Sequence, residues 1–532
     1  MADRPRPPHP WELPPENRPL PGNPYATESF GPPVEPGRPA RSGQGKSKSK
    51  VPLIAAAVVL LLLVAGGGVY AVTDGRWGGS AAPGAPAAKE KTPTPAETPS
   101  ISGTPSAPPS PSVGTPEPKR IPTSEEINAG RAPGDATAWV VDDPTDLPGR
   151  NILLHDLWIV GDTVVQAMHR KVTAYRLSDG AEVWSVPLPA PVCETPVNPT
   201  PDGKVVVVYK NSQAHSGNRC NQLQMIDLRT GKAGWQKELT EASRGDTIIV
   251  HTAISGDVLA VVQGMKAAAY GVDDGKKLYD IPMENPGRCY PDDVAGGPRL
   301  LLHSTCAISA DRGKTYSQLR EIVPRTGKVR WRHRTKAGWT VGKVISVAPA
   351  VFTTRDVEDR INNWRIAVLG PGGKLRTTID ARPKGFAYCG DSGDSGQGIQ
   401  NCPGMIVGKN AVHVGGTAQV GAYDLSTGKF VWGVKSEEST LHPLREENGT
   451  FAHVYERSLP GREGGIIRLG PGGVETKKQV LLHPQSARAT ESGMFAGRLA
   501  YVKDRIVITP SIVDGEDTRR EARMISFAPG SP

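Results

Sequence analysis

From about Thr137 onward the apolar residues fall into short runs rich in Val and Ile. Asp156-Leu-Trp-Ile-Val160, Thr163-Val-Val-Gln-Ala-Met168, Lys204-Val-Val-Val-Val-Tyr209 and Val258-Leu-Ala-Val-Val262 are examples, and Gly, Asn, Asp or Pro separates them. Runs of this length and type predict β-strands. No long segment of 3.6-residue period occurs there, so this part is expected to be all-β. Upstream the pattern is different. Val51 to Val72 is a 22-residue run without a charge (VPLIAAAVVLLLLVAGGGVYAV), enough to cross a ~30 Å hydrocarbon core as a helix.

Within the β region one frame recurs: a strand, a polar turn with glycine, and a second strand closed by an aromatic residue. It reads AYDLSTGKFVW at Ala422 to Trp432, AYRLSDGAEVW at Ala174 to Trp184 and MIDLRTGKAGW at Met225 to Trp235. AYGVDDGKKLY at Ala269 to Tyr279 and EIVPRTGKVRW at Glu321 to Trp331 follow the same frame. Worn copies are Ala367 to Leu375, Ile467 to Glu475 and, at the end of the chain, Met524 to Gly530. The turn glycines are Gly180, Gly231, Gly275, Gly327, Gly373, Gly428, Gly473 and Gly530, spaced 44 to 57 residues apart. Glycine there supplies the positive φ of a tight turn. A repeat of roughly 40–50 residues with about four strands each is the mark of a β-propeller.

On the motif Ala/apolar-x-Asp-x-x-Thr-Gly-Lys-x-x-Trp, the region resembles the PQQ-like (pyrroloquinoline quinone) β-propeller repeat family over about residues 137 to 532. The resemblance implies that each motif aromatic docks on the next blade's hairpin, a role falling on Trp184, Trp235, Trp331 and Trp432, with Tyr279 as a stand-in. Eight turn glycines predict eight blades, with seven the alternative. The last hairpin lacks its outer strand, and Ala136-Thr-Ala-Trp-Val-Val141 is the candidate to complete it, which would close the ring and remove its edges.

Composition divides the rest. Residues 1–50, rich in Pro, Arg, Gly and Asn, cannot bury enough apolar area to offset their ordering entropy and are read as a disordered tail. Lys46, Lys48 and Lys50 sit directly before the apolar run 51–72, so the positive-inside rule puts the N-terminus in the cytoplasm and the remainder outside, held by an uncleaved anchor. Residues 73–135, dominated by Pro, Thr, Ser, Ala and Gly, are expected to be an extended extracellular spacer, and 136–532 the propeller. The net charge of +9 raises nucleic-acid binding, but the basic residues are scattered without interleaved aromatics, so no nucleic-acid partner is expected.

All six cysteines follow the apolar run, as expected for disulfides in an oxidising space. Fifteen pairings are possible; sequential pairing, Cys193–Cys220, Cys289–Cys306 and Cys389–Cys402, is geometrically simplest because each pair falls between adjacent turn glycines. No Cys-x-x-Cys or paired His spacing suggests a metal site. Gly390-Asp-Ser-Gly393 superficially matches a serine-protease nucleophile motif, but the repeats belong to a different fold. Asp391 and Asp394 are candidate Ca²⁺ ligands, with a solvated polar loop the plainer reading.

The resemblance also raises a quinoprotein dehydrogenase using PQQ and calcium. Enzymes of that type typically carry a disulfide between adjacent cysteines, which this sequence lacks, and no Glu, Asn or Asp can be matched to a quinone site. No catalytic residue is assigned. The expected function is non-enzymatic: binding, scaffolding or sensing by a membrane-tethered propeller of a bacterial, actinobacterial-type envelope, engaging a protein or glycan. A quinoprotein dehydrogenase and a purely structural envelope protein are the alternatives.

Overall fold

A computed structural model describes residues 120–142, 147, 151–212, 219–240, 248–284, 289–307, 311–391, 398–400, 402–494, 497–515 and 521–530. The tail, the apolar run and most of the spacer lie outside them. No helix among the described residues is long and apolar enough to cross a membrane. The described residues belong to one compact unit.

The unit is a β-propeller built from up-and-down antiparallel strands. Ile152–Val160, Thr163–Met168, Lys171–Arg176 and Glu182–Pro187 pair in that order. The pattern repeats with Val192–Glu194, Lys204–Lys210, Cys220–Asp227 and Lys232–Glu238, then with Val250–Ser255, Val258–Gln263, Lys266–Gly271 and Lys277–Ile281. Tyr290–Ala295, Leu300–Cys306, Tyr316–Ile322 and Val329–Arg334 follow, then Trp339–Val347, Ala350–Asp356, Trp364–Leu369 and Leu375–Ile379. Beyond these, Met405–Val407, Ala411–Asp424 and Phe430–Glu447 run into Phe451–Glu456, Gly465–Gly470 and Gly473–Leu482.

Burial explains the apolar runs. The second strand of a unit is covered on both faces by neighbouring units, so Lys204–Lys210 is buried at five consecutive positions and Val258–Gln263 likewise. The fourth strand lies outermost and is largely exposed, as in Lys232–Glu238 and Lys277–Ile281. That contrast is why strict period-2 alternation is absent from the inner strands.

The ring closes twice. Thr137–Val141 pairs antiparallel with Met524–Ala528, from Thr137 opposite Ala528 to Val141 opposite Met524. Ile512–Val513, from the connection preceding the last strand, pairs with Ile152 and Leu153 of the first unit. N- and C-terminal strands thus share one sheet and leave fewer edges.

The expected spacer ends earlier than residue 135. Ser124–Ala129 is a helix with a capping box between Thr123 and Glu126. Its Ile127 is fully buried, and Asn128 Nδ2 donates to Ala138 O (2.7 Å) while Ala138 N donates back to Asn128 Oδ1 (2.9 Å). Thr-x-x-Glu is a helix-start signal that composition alone hides in a polar stretch. A second helix, Arg488–Gly493, is tied to the preceding sheet through Glu491 Oε1, which is bonded to His483 Nδ1 and Tyr455 Oη (2.9 and 2.8 Å).

Candidate functional site

The motif residues meet across unit boundaries. A Cβ added at Gly231 would stand 2.5 Å from Trp184 Cδ2, at Gly275 2.7 Å from Trp235, at Gly327 2.7 Å from Tyr279 and at Gly373 2.5 Å from Trp331. Each glycine therefore serves two needs: a φ between +64° and +75°, and room for a flat ring. Trp235 Nε1 donates to Val272 O (2.7 Å), and Tyr279 Oη reaches Pro324 O. The ring facing Gly180 is one that motif counting does not assign: Trp139, 2.7 Å from the added Cβ, with Nε1 donating to Leu177 O (2.9 Å). Trp139 belongs to the strand that completes the last unit, so the dock recurs at the closure.

Three positions depart from the expectation. Trp432 is buried beside His413 (ring centroids 6.0 Å) rather than on Gly473, whose added Cβ would meet only Gly433 O and Val434 Cγ2 at 3.9–4.0 Å. There Gly470 pairs directly with Gly473 in a two-residue turn, shorter than the others, so the ledge that receives a ring is missing. Gly428 faces Thr377 because the preceding outer strand, Leu375–Ile379, carries no aromatic. Gly530 is not a positive-φ turn; it lies against Arg131 and Asp135, since Thr137–Val141 supplies the strand that would otherwise follow.

The disulfides are Cys193–Cys220, Cys289–Cys306 and Cys389–Cys402. All sit where first or third strands begin, second strands end, or units connect. This is the opposite end of the strands from the turn glycines, so one face of the propeller carries every cross-link.

On that face lies a cleft of about 880 Å³ between the units spanning residues 250–281, 290–334 and 339–379. Its walls carry His251, Asp292, Asp293, His303, Arg312, Lys343, Arg355 and Glu358. Next to it the first strands bring buried carboxylates together. Asp293 is pushed up to about 8 by burial, with the neighbouring Asp292 adding to the effect. Glu194 is raised by burial and then by Asp293 and Asp156. Burial also raises Asp156, against the pull of Arg498, whose Nη2 lies 3.1 Å from Asp156 Oδ1. The segment 398–400 crosses this region: Lys343 Nζ donates to Gly398 O (2.6 Å), and Gln400 exchanges two hydrogen bonds with the Gly296 backbone (2.8 and 2.9 Å).

Ser317, His303 and Asp292 line up like a hydrolytic triad, with Ser317 Oγ 2.8 Å from His303 Nε2 and Asp292 Oδ2 3.4 Å from Nδ1. The burial order is reversed. Ser317 is fully buried and its Oγ accepts from Val341 N (2.9 Å), while Asp292 is exposed. A nucleophile that no substrate reaches performs no acyl transfer, so the array is structural. Among the described residues no group of three His, Cys, Asp or Glu is placed to hold a metal ion. The Ca²⁺ expectation at Asp391 and Asp394 falls outside the described side chains. Between the buried carboxylates only about 10 Å³ is free, far below the roughly 300 Å³ of a small-ligand pocket, so a quinone does not fit into that gap.

Residues 124–364 match the family described as outer membrane protein assembly factor BamB. No curated protein sequence matches the chain. Among solved structures, BamB from Moraxella catarrhalis is 14% identical, with 74% of this chain and 99% of that one covered and a TM-score of 0.41. A quinohemoprotein alcohol dehydrogenase from Pseudomonas putida is 11% identical (79% and 83% covered, TM-score 0.42), and a europium-containing methanol dehydrogenase 11% (73% and 92%, TM-score 0.41). These similarities assign no activity to this chain. Residues 124–364 are thus PQQ-like propeller repeats, similar to those of the family described as outer membrane protein assembly factor BamB.

Proposed function

We propose that this protein is a non-enzymatic scaffold whose cross-linked face binds a protein partner in the cell envelope. The observation that carries the reading is the gathering of all three disulfides and the 880 Å³ cleft at one end of the strands. Cross-links that fix connections lower the ordering cost of binding through them. The cleft lining, mixed in charge, suits recognition of a polar surface. The family matched by residues 124–364 is described as an assembly factor, which agrees with a partner-binding role.

The finer reading is an eight-bladed ring, in which Ala411–Asp424 folds back on itself and Phe430–Glu447 runs from one blade into the next. The uncharged run 51–72 is its single membrane span, with the N-terminus cytoplasmic and the propeller outside; a glycan is the alternative ligand.

A photo-crosslinker at Ile361, 79% exposed beside the cleft, tests the binding face against one at Leu375 on an outer strand. A discrete adduct from position 361 in living cells, and none from 375, is expected. Equal labelling from both, or retention of added PQQ with dye-linked turnover, refutes the scaffold reading.

A further inference from the structure

The outer strand Val329–Arg334 differs from its counterparts. Between residues 325 and 336 stand six basic residues and no acidic one. Arg330, Arg332 and Arg334 share the exposed face of the strand, while Trp331 is buried on the other. Successive side chains on one strand face are about 6.8 Å apart, close to the repeat of an extended phosphodiester backbone.

The described carboxylates do not balance this charge. Arg325 pairs with Asp257, Arg330 with Glu321 (3.3 Å) and Arg332 with Glu284 (2.7 Å). Glu321 and Glu284 are shared with Arg299 and Arg320 (2.9 and 3.2 Å), so the strip keeps an excess of at least three positive charges. Beneath it Arg320, 1% exposed and paired across the strands with Arg332, has Nε and one terminal amino group without hydrogen-bond partners. Like charges at this spacing repel; Arg334 stands over the Tyr316 ring (5.8 Å) and donates to Gln318 Oε1 (3.0 Å), neutral partners that leave its charge uncompensated. Arginine rather than lysine at all three central positions offers planar, two-pronged donors suited to phosphate.

We propose that this strip binds a linear phosphodiester polymer, laid along the outer strand with successive phosphates on Arg330, Arg332 and Arg334. The strip is one strand wide, which fits a chain rather than a flat membrane. It lies on the propeller's rim, apart from the cross-linked face, so the two sites stand or fall separately.

The test uses the full-length protein in neutral detergent and a fluorescein-labelled poly(glycerol phosphate) of about ten units, followed by anisotropy. With about three phosphates neutralised, the slope of log affinity on log salt is near −2, a loss of about 15-fold between 50 and 200 mM salt. The triple variant Arg330→Thr, Arg332→Gln, Arg334→Thr should abolish binding. Arg334→Thr with Lys336→Thr, which breaks none of the described ion pairs and removes one of the three phosphate contacts, should reduce the slope by about 0.7 with the fold intact. Absent binding at 50 mM salt, or binding unchanged in both variants, overturns the proposal. So does tighter binding of oligo-dT, which would assign the strip to nucleic acid, or of anionic vesicles, which would assign it to a membrane.

Discussion

Gly231 and Gly473 are read as the same turn glycine in sequence, yet the structure gives them different sensitivities to a single methyl group. Both have positive φ, +71° and +61°. Replacing either by Ala places an L-residue in the left-handed region, at about 1–2 kcal/mol. Part of this, about 0.4–1 kcal/mol, is returned because the unfolded chain loses freedom. Gly473→Ala meets nothing closer than 3.9 Å, so the expected loss is about 1 kcal/mol. At Gly231 the new methyl would stand 2.5 Å from Trp184 Cδ2 and 2.6 Å from Cγ, the rigid part of the indole. Moving that ring adds an overpacking cost of about 1–3 kcal/mol, for a total of about 2–4 kcal/mol. Gly161→Ala, with φ +62° and open space around it, isolates the backbone term. Urea unfolding monitored by tryptophan fluorescence measures all three at constant slope. Equal losses at Gly231 and Gly473, or a Gly231 loss no greater than that at Gly161, would refute ring docking as the second requirement.

Trp139→Ala should destabilise the closing sheet by about 3–5 kcal/mol, because it removes a buried indole and strands the Leu177 carbonyl; limited proteolysis should then cut first near residues 130–142. Asp293, held near 8 against an ordinary carboxylate value near 4, is protonated in the folded state while the unfolded chain ionises. Its contribution is present below about pH 4 and lost as pH rises through about 8, so Asp293→Asn should flatten the fall in stability across that window; an unchanged pH profile in urea titrations counts against it. Loop-entropy differences make Cys193–Cys220, closing 27 residues, the most stabilising cross-link at about 3–4 kcal/mol, and Cys389–Cys402, closing 13, the least at about 3 kcal/mol. Paired Cys→Ser variants compared by thermal melting test that order.

How much of this was legible beforehand differs by feature. The hairpin repeat, the strands and the closure of the chain's ends follow from local patterns: turn glycines, β-branched runs and an unpaired last hairpin. The axial carboxylates were not legible. Asp156, Glu194 and Asp293 come from three separate repeats, each in an unremarkable local context, and only the radial arrangement of first strands gathers them. The inverted Ser317–His303–Asp292 array was invisible for the same reason, since its members become neighbours through strand register. Trp139 had the right residue type, but its dock lies outside any complete motif copy. The capping box at Thr123 and Glu126 was readable and was masked by the Pro- and Thr-rich composition around it.

By itself the sequence determined the repeat and the class of fold, because turn φ, β-propensity and apolar patterning act over a few neighbouring residues. The tertiary structure alone decided which glycines bear a ring, which face carries the cross-links and where buried charge accumulates. Those properties depend on close packing between segments some 40–50 residues apart or more, and on desolvation that arises only when the blades enclose them.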